Sequence, residues 1–389
     1  AYLVCGERTA LVDTVDACFT GRLLANVRER LGDRPLDYLV INHMEPDHSA
    51  SIAAVRQAYP AVRIVGNAKT LQMIEGYYGI ACGTVEVREG DVLDLGGLTL
   101  AFCMIPMVHW PETMATWCAE ERTIFSGDAF GTFGALNGGV TDEQLDVEPF
   151  WEEMRRYYAC IVGKYGQPVQ RALAKVAPLD IAMICSTHGP VWRREIARVV
   201  ELYDKVSRYE GEPGAVIAYG SMYGNTEQMA ETVARGLAAA GVRPIVVYNL
   251  STADVSQVLR DIFRYDTLVV GSPTYYAGPN GSLCAILDRL FYSAGELLRF
   301  KPAAAVAVCR RGGASATFDR LNKYFTINNM PVVSSQYWNS VHGRLPGEAT
   351  QDAEGMQTMR TLGDNMAWLL KNIQTGKIPL PVSYTHLRA

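Results

Sequence analysis

Short apolar runs and amphipathic stretches take turns along the chain, separated by polar turns. "LDYLVIN", with its core at 37–42, is apolar enough for a buried strand, and "SASIAAVRQAYP" after it carries helical spacing. "VRIVGN" and "AKTLQMIEGYYG" repeat the strand–helix pair. "GLTLAFCMIP", "TMATWCAE" and "RTIFSGDAF" then predict three consecutive strands. The spacing predicts one long amphipathic helix over 150–176, a strand at "IAMICSTHG", and a charged helix over 192–209 with little apolar content. Gly211, Pro213 and Gly214 in "YEGEPGA" mark a linker.

Beyond Ala215 the pattern changes. "AVIAYGS", "RPIVVYN", "DTLVVGSP" and "AAAVAVC" are apolar, β-branched strands separated by helices such as "NTEQMAETVARGLAAAG" and "GSLCAILDRLFYSAG". Strict alternation of this kind predicts a doubly wound parallel sheet with ligands at the carboxyl ends of its strands. The chain is therefore α/β throughout, in two different units with no internal repeat: 1–210 and 214–375, followed by a tail, 376–389. The chain starts inside a strand-like "AYLVCG" and closes on the aperiodic "SYTHLRA". The expectation is a truncated amino terminus and a non-native end, and His386 carries no functional weight.

Composition narrows the classes. At 389 residues two cores are expected, and 49% apolar with 20% charged residues describes an ordinary α/β protein. A net charge of −5 argues against a nucleic-acid partner. No apolar run is long enough for a membrane span. The nine cysteines are scattered, mostly inside apolar strand-like runs, and no Cys-x-x-Cys occurs, which excludes a rubredoxin or zinc-ribbon module within this chain. Buried free thiols fit a reducing cytoplasm.

Six histidines are present, and their placement is uneven. "NHMEPDHSAS" puts His43, Glu45, Asp47 and His48 in the turn between a strand and a helix; His43, Glu45 and Asp47 alternate and can share one target. Read alone, this could be a polar turn with a helix cap. But His109 in "MIPMVHWPE", Asp128 in "TIFSGDAFG" and His188 in "MICSTHGP" also end strand-like runs. Six or seven imidazole and carboxylate groups are too many for one tetrahedral zinc and suit two metals sharing a bridging carboxylate. Oxygen-rich ligation beside imidazole, without thiolate, favours redox-active iron or manganese.

A second constellation lies in the other unit. "YGSMYGNTEQMAE", Tyr219 to Glu231, joins a strand to a helix; the hydroxyls of Ser221 and Thr226 and the first helical amides suit a phosphate dianion. It has neither the Gly-Lys-Ser/Thr of a nucleoside-triphosphate loop nor Gly-x-Gly-x-x-Gly. "GSPTYYAGPNG" offers Thr274, Tyr275 and Tyr276 to a flat ring, and "CRRGGASA" offers glycines and two arginines. All three loops fall at the same sheet edge.

With "HMEPDHS", His109, Asp128 and His188 in that order, the first unit resembles the di-iron domain of the flavodiiron proteins, itself similar to the metallo-β-lactamase αββα sandwich. Zinc hydrolases of that superfamily have histidine where Glu45 stands. The resemblance implies that His43, Glu45 and His109 bind one iron, that Asp47 and His188 bind the other, and that Asp128 bridges. It places His48 behind the ligands, where it would supply protons. The later loops resemble flavodoxin and imply FMN held by Ser221, Met222, Tyr223, Gly224, Asn225 and Thr226, by Pro273, Thr274, Tyr275, Tyr276, Ala277 and Gly278, and by Arg310, Arg311, Gly312, Gly313 and Ala314. Many family members have an aromatic residue in the third loop where this chain has Arg310-Arg311. A cation there would raise the flavin potential or dock an acidic donor.

The resemblance covers essentially residues 1–375 and implies reduction of dioxygen to water, of nitric oxide to nitrous oxide, or both. It implies FMN and two iron ions as cofactors. The external donor would be rubredoxin, reduced deazaflavin or a flavin reductase. Two sites at strand ends of different domains are expected to lie too far apart in one chain for fast transfer, and family members pair head to tail, so a homodimer or dimer of dimers is expected. Two rivals stand beside this reading. A zinc hydrolase with an appended flavodoxin-like domain predicts activity without an electron donor, and Glu45 argues against it. An electron carrier on a degenerate scaffold predicts a missing ligand, and none is missing.

Overall fold

Alternation of side chains decides the first half of the molecule. In the computed structural model, which describes residues 1–295 and 297–376, Ala10, Val12, Tyr38, Val40 and Val65 point one way. Their neighbours Leu11, Leu39 and Ile64 point the other way, onto Leu23, Val27, Ile52, Val55 and Ile74 of flanking helices. The first sheet runs β1 (Tyr2–Cys5), β2 (Thr9–Val12), β3 (Tyr38–Val40), β4 (Arg63–Gly66), β5 (Thr84–Glu86), in that spatial order. It is parallel apart from the β1–β2 pair.

The second sheet contains β6 (Val92–Asp94), β7 (Thr99–Met104), β8 (Met114–Cys118), β9 (Thr123–Gly127) and β10 (Met183–Ser186), in the order β10-β9-β8-β7-β6. Its β6 to β9 pairs are antiparallel and β9–β10 is parallel. Leu100, Phe102, Met114, Phe125 and Cys185 meet the inner face of the first sheet in one shared core. Two sheets packed face to face with helices outside make an αββα sandwich, as the resemblance implied.

The stretch 150–176 is not one helix. It divides into Glu148–Tyr157, a wide turn at Tyr158–Val162, a tight turn at Gly163–Tyr165, and a helix Gly166–Val176. Gly163 and Gly166 weaken helical continuity, and Pro168, without an N–H, suits a helix's first turn rather than its middle. The charged stretch before the linker forms the helix Ile196–Ser207 and buries Val199, Leu202 and Tyr203, more apolar contact than its composition suggested.

Contacts divide the chain into Ala1–Arg208 and a second unit from Tyr209 onward. In the second, β11 (Ala215–Tyr219), β12 (Ile245–Asn249), β13 (Leu268–Tyr275), β14 (Gly278–Pro279), β15 (Ala303–Cys309) and β16 (Ser340–His342) form a sheet of order β12-β11-β13-β15-β16, with β14 paired to β13. Its five-strand path is parallel. This is the doubly wound order in which ligands sit where the strand order reverses, beside β11 and β13. One face packs on the helices Asn225–Ala239 and Ala353–Gln374 through Met229, Val233, Leu237, Met359, Leu362 and Met366. Those two helices approach so closely that a Cβ on Gly363 would lie 3.0 Å from the Gly236 Cα. The expected tail, 376–389, lies outside the described residues from 377 onward, as does His386.

Among the described residues no helix is long and apolar enough to cross a membrane. None of the nine cysteines forms a disulfide, and only Cys118, Cys185 and Cys309 are buried, fewer than the strand-like runs around them suggested.

Candidate functional site

Asn42 closes β3 and ties the sandwich together at the point where the chain turns into the site. Its amide N–H donates to Asp13 Oδ1 at 2.7 Å, its Nδ2 to the Phe125 carbonyl at 3.2 Å, and its Oδ1 accepts from Thr116 Oγ1 at 2.7 Å. The next residue is His43. At the end of β9, Gly127 takes φ +59, a conformation open to glycine, and the chain then presents Asp128. His188 follows β10 and His109 follows β7.

Seven side chains converge there. The first donor set is His43, Glu45, His109 and Asp128; the second is Asp47, His48 and His188. Asp128 faces both. Its Oδ2 lies 3.5 Å from His43 Nε2 and 3.1 Å from His109 Nε2, while its Oδ1 lies 2.9 Å from His48 Nε2 and 3.2 Å from His188 Nε2. Glu45 Oε2 stands 3.3 Å from His43 Nε2 and 3.0 Å from His109 Nε2; Asp47 Oδ2 stands 3.2 Å from His188 Nε2 and 3.4 Å from His48 Nε2. His43 and Asp128 are essentially closed to solvent. Thr187 Oγ1 donates to Asp128 Oδ1 at 2.9 Å. The Trp110 ring meets His43 edge-on, and Tyr157 covers His188 at 5.5 Å.

His48 differs from expectation. It belongs to the second donor set rather than standing behind it. The cause is a remote contact: the His48 carbonyl accepts from both the backbone N–H and Oγ1 of Thr14, at 2.8 and 2.7 Å, and so holds the one-turn helix Pro46–Ser49 with the imidazole facing Asp128. Local sequence carries no sign of that.

The electrostatics are those of a proton-filled metal site. Burial works against charge on His43, yet hydrogen bonds to Glu112 and Glu45 lift it to about 10. His188 rises to about 9 against burial, through Asp128 and Asp47. Glu45 falls to about 2 because His109 and His43 hydrogen-bond to its charged form. For Asp128 burial again opposes charge, and hydrogen bonds from His109, His188 and His48 hold it well below the carboxylate range. Asp47 Oδ1 is buried with no hydrogen-bond partner. Nitrogen and oxygen donors in two sets joined by one carboxylate, with a lone pair left over, fit a pair of iron ions.

The second site is a cavity of about 490 Å³. Ser221, Met222, Tyr223, Asn225 and Thr226 from the loop after β11, Pro273 and Thr274 from β13, and Arg310 line it. Gly224, at φ +81, begins the helix Asn225–Ala239, whose first turn has no side-chain cap, so its amides are available to a phosphate. The other expected contacts do not line the cavity. Tyr275 and Tyr276 are solvent-exposed, Tyr276 almost wholly (99%). Ala277, Gly278, Arg311, Gly312, Gly313 and Ala314 lie beside it, where Gly313 packs so tightly that a Cβ would sit 3.0 Å from Thr274 Cγ2. A fourth loop was not foreseen. Gly343, Arg344, Leu345 and Pro346 complete the wall after the three-residue strand β16, too short to register as an apolar run. The rule that ligands sit at strand ends would have flagged it had that strand been recognised. A cavity with an uncapped helix start at one wall and apolar and cationic side chains at the others fits FMN.

A sandwich holding two bridged donor sets, followed by a doubly wound unit with a phosphate-ready cavity, defines a metal- and flavin-dependent oxidoreductase. Comparisons agree. Residues 1–189 match the family described as ODP family beta lactamase, and residues 213–344 match NADPH-dependent FMN reductase. A nitric oxide reductase of Moorella thermoacetica is 32% identical over 277 residues, 70% of this chain and 69% of the relative. An anaerobic nitric oxide reductase flavorubredoxin of Shigella flexneri is 30% identical over 327 residues, 83% and 67% of the two chains. The solved rubredoxin oxygen:oxidoreductase of Desulfovibrio gigas superposes with a TM-score of 0.87 at 25% identity, covering 96% of this chain and 91% of that one. The flavodiiron protein of Giardia intestinalis shares the fold at a TM-score of 0.84 and 21% identity, with 95% and 90% coverage. The chain belongs to the flavodiiron family.

Proposed function

We propose that this chain reduces dioxygen to water, nitric oxide to nitrous oxide, or both, at a di-iron centre fed through FMN. The observation that carries the reading is Asp128, one buried carboxylate whose two oxygens face two separate donor sets. In residue terms, 1–210 would hold the metals and 214–375 the flavin. His43, Glu45 and His109 would bind one iron, Asp47, His48 and His188 the other, and Asp128 both. The loop residues from Ser221 to Thr226, with Thr274 and Arg310, would hold FMN. When bound, the iron pair stores two electrons and binds gas, and the flavin delivers electrons two at a time.

The chain's own residues supply the rest. Burial keeps bulk water from His43, His48 and Asp128, while Glu45, Asp47 and His188 stay partly open on the side from which a small gas would enter. Trp110 and Tyr157 wall the imidazoles, fixing ring planes without offering a competing ligand. Thr187 holds Asp128 Oδ1 in place for its bridging role.

The donor is an external protein or reduced deazaflavin, and Arg310 and Arg344 on the cavity wall suit an acidic one. The protein works in the cytoplasm, a reducing compartment that suits nine cysteines with no disulfide among them. Pairing head to tail would let each flavin serve the partner's irons; a strictly monomeric, fully active protein contradicts this. Anaerobic turnover with each gas, using reduced rubredoxin and then reduced deazaflavin, tests the activity. Consumption of either gas supports it, and no consumption of both by iron- and FMN-loaded protein refutes it.

A further inference from the structure

We propose that Glu112 is a positioning residue for the first metal, fixing the tautomer and ring plane of His43 and placing a second-layer negative charge behind that metal position. This rests on the di-iron reading of the site. Glu112 follows His109 in "HWPET", and its side chain is closed to solvent. Its Oε1 accepts from His43 Nδ1 at 2.9 Å and from the Met44 backbone N–H at 3.0 Å. With its proton committed to Glu112, His43 must present Nε2 to Glu45 and Asp128. A carboxylate behind a ligating imidazole also makes that ligand more basic.

Two observations separate this role from a backbone brace. A brace needs only an acceptor, and a neutral amide would serve at lower cost than a buried carboxylate. Yet the residue here is a carboxylate, and a single oxygen, Oε1, takes both the His43 Nδ1 and the Met44 N–H donors. Its Oε2 is buried without a hydrogen-bond partner, so the group is not placed to maximise hydrogen bonding. The loop is pinned from outside, since Asn67 Nδ2 donates to the Glu112 carbonyl at 2.5 Å while Asn67 Oδ1 caps the helix Ala68–Tyr78. The backbone at Glu112 is thus held independently of His43.

The arrangement is also lopsided. Among the described residues, His43 is the one site imidazole whose Nδ1 meets a carboxylate. On the other side, Thr187 donates a hydrogen bond to Asp128 Oδ1 and draws charge away from the second set. The two metal positions are therefore electronically unequal, the first being richer in negative charge and the one oxidised first.

The test compares full-length wild type, Glu112→Gln and Glu112→Asp, each loaded with ⁵⁷Fe and FMN. Iron retention against a chelator, site-resolved Mössbauer spectra during redox titration, FMN content and thermal melting are read. Wild type must hold two irons; if it does not, the di-iron reading fails before this inference is reached. Glu112→Gln keeps an acceptor for His43 and Met44 but removes the charge. The expected result is normal melting and FMN content, iron at one position held about 10–100-fold more weakly, and that iron oxidised at a more positive potential. Glu112→Asp, which retains charge, should recover more of the wild-type potential than Gln. Wild-type retention and potentials in Glu112→Gln would overturn the proposal, and so would a Gln variant that fails to fold, which would assign Glu112 to the architecture.

Discussion

The two units hold their ligands in opposite ways. In the first, seven side chains from separate strand ends meet in a largely buried cluster whose ligand atoms already lie within 4.8 Å of one another in each donor set. In the second, four loops wall an open cavity, one of them using the backbone amides of a helix start. A site built from side chains is specified by residue identity, and single substitutions break it. A site built from loops and amides spreads its binding over many weak contacts. The same α/β vocabulary therefore gives one brittle centre and one tolerant centre.

The largest break should come at Asp128. Asp128→Ala removes the one group that, among the described residues, faces both donor sets, and leaves His43, His48, His109 and His188 without the carboxylate they share. The chain should then retain at most one iron and lose gas turnover to background while FMN content stays unchanged. Two irons remaining in that variant would show that another group bridges.

Next comes pH. His43 and His188, raised to about 10 and about 9, are protonated in the metal-free site at neutral pH. Iron must displace those protons, so its affinity should rise with pH between about 7 and 9, by up to ten-fold per unit for each proton released. The sign for folding is opposite. Charged His43 and His188 stabilise the metal-free fold fully below their unfolded value near 6.5, and that contribution is lost as pH rises through about 9 to 10. Iron titrations at pH 6.5 and 8.5 with proton release measured alongside check this, and FMN binding should show no matching change.

The legibility of the two sites follows the same division. Six of the seven side chains that converge were picked out from the sequence as candidate ligands because histidine and carboxylate at strand ends have few other reasons to be there. Glu112 was not, since one acidic residue in "WPET" looks like any polar turn until His43 is folded against it. The placement of His48 beside Asp47 and His188 was not legible because Thr14, thirty-odd residues away in sequence, holds its carbonyl. Of the flavin loops, the helix-start loop was legible through its hydroxyls and amides, whereas Tyr275 and Tyr276, expected from ring chemistry and the flavodoxin resemblance, are exposed beside the cavity. The fold class was legible from alternation, but the break within 150–176 depended on glycines whose effect a hydrophobic pattern does not weigh.

Smaller effects sharpen the tolerant side. Thr226→Val, at a buried position of nearly equal volume, removes one hydroxyl from the cavity wall. FMN should bind roughly ten-fold more weakly, about 1.4 kcal/mol, as for one hydrogen bond to a charged group, with two irons still bound. Arg344→Ala in the fourth loop should cost less, a few-fold in FMN affinity by fluorescence titration, because its contact is one of many. A complete loss of flavin in either variant would mean that the second site is as brittle as the first.

The most direct measurement is metal analysis combined with Mössbauer spectroscopy on the protein purified from ⁵⁷Fe-supplemented cells. Two irons per chain, magnetically coupled through a shared carboxylate, are predicted. Zinc alone, or two irons that behave as isolated ions, would contradict the bridged pair on which the whole account stands.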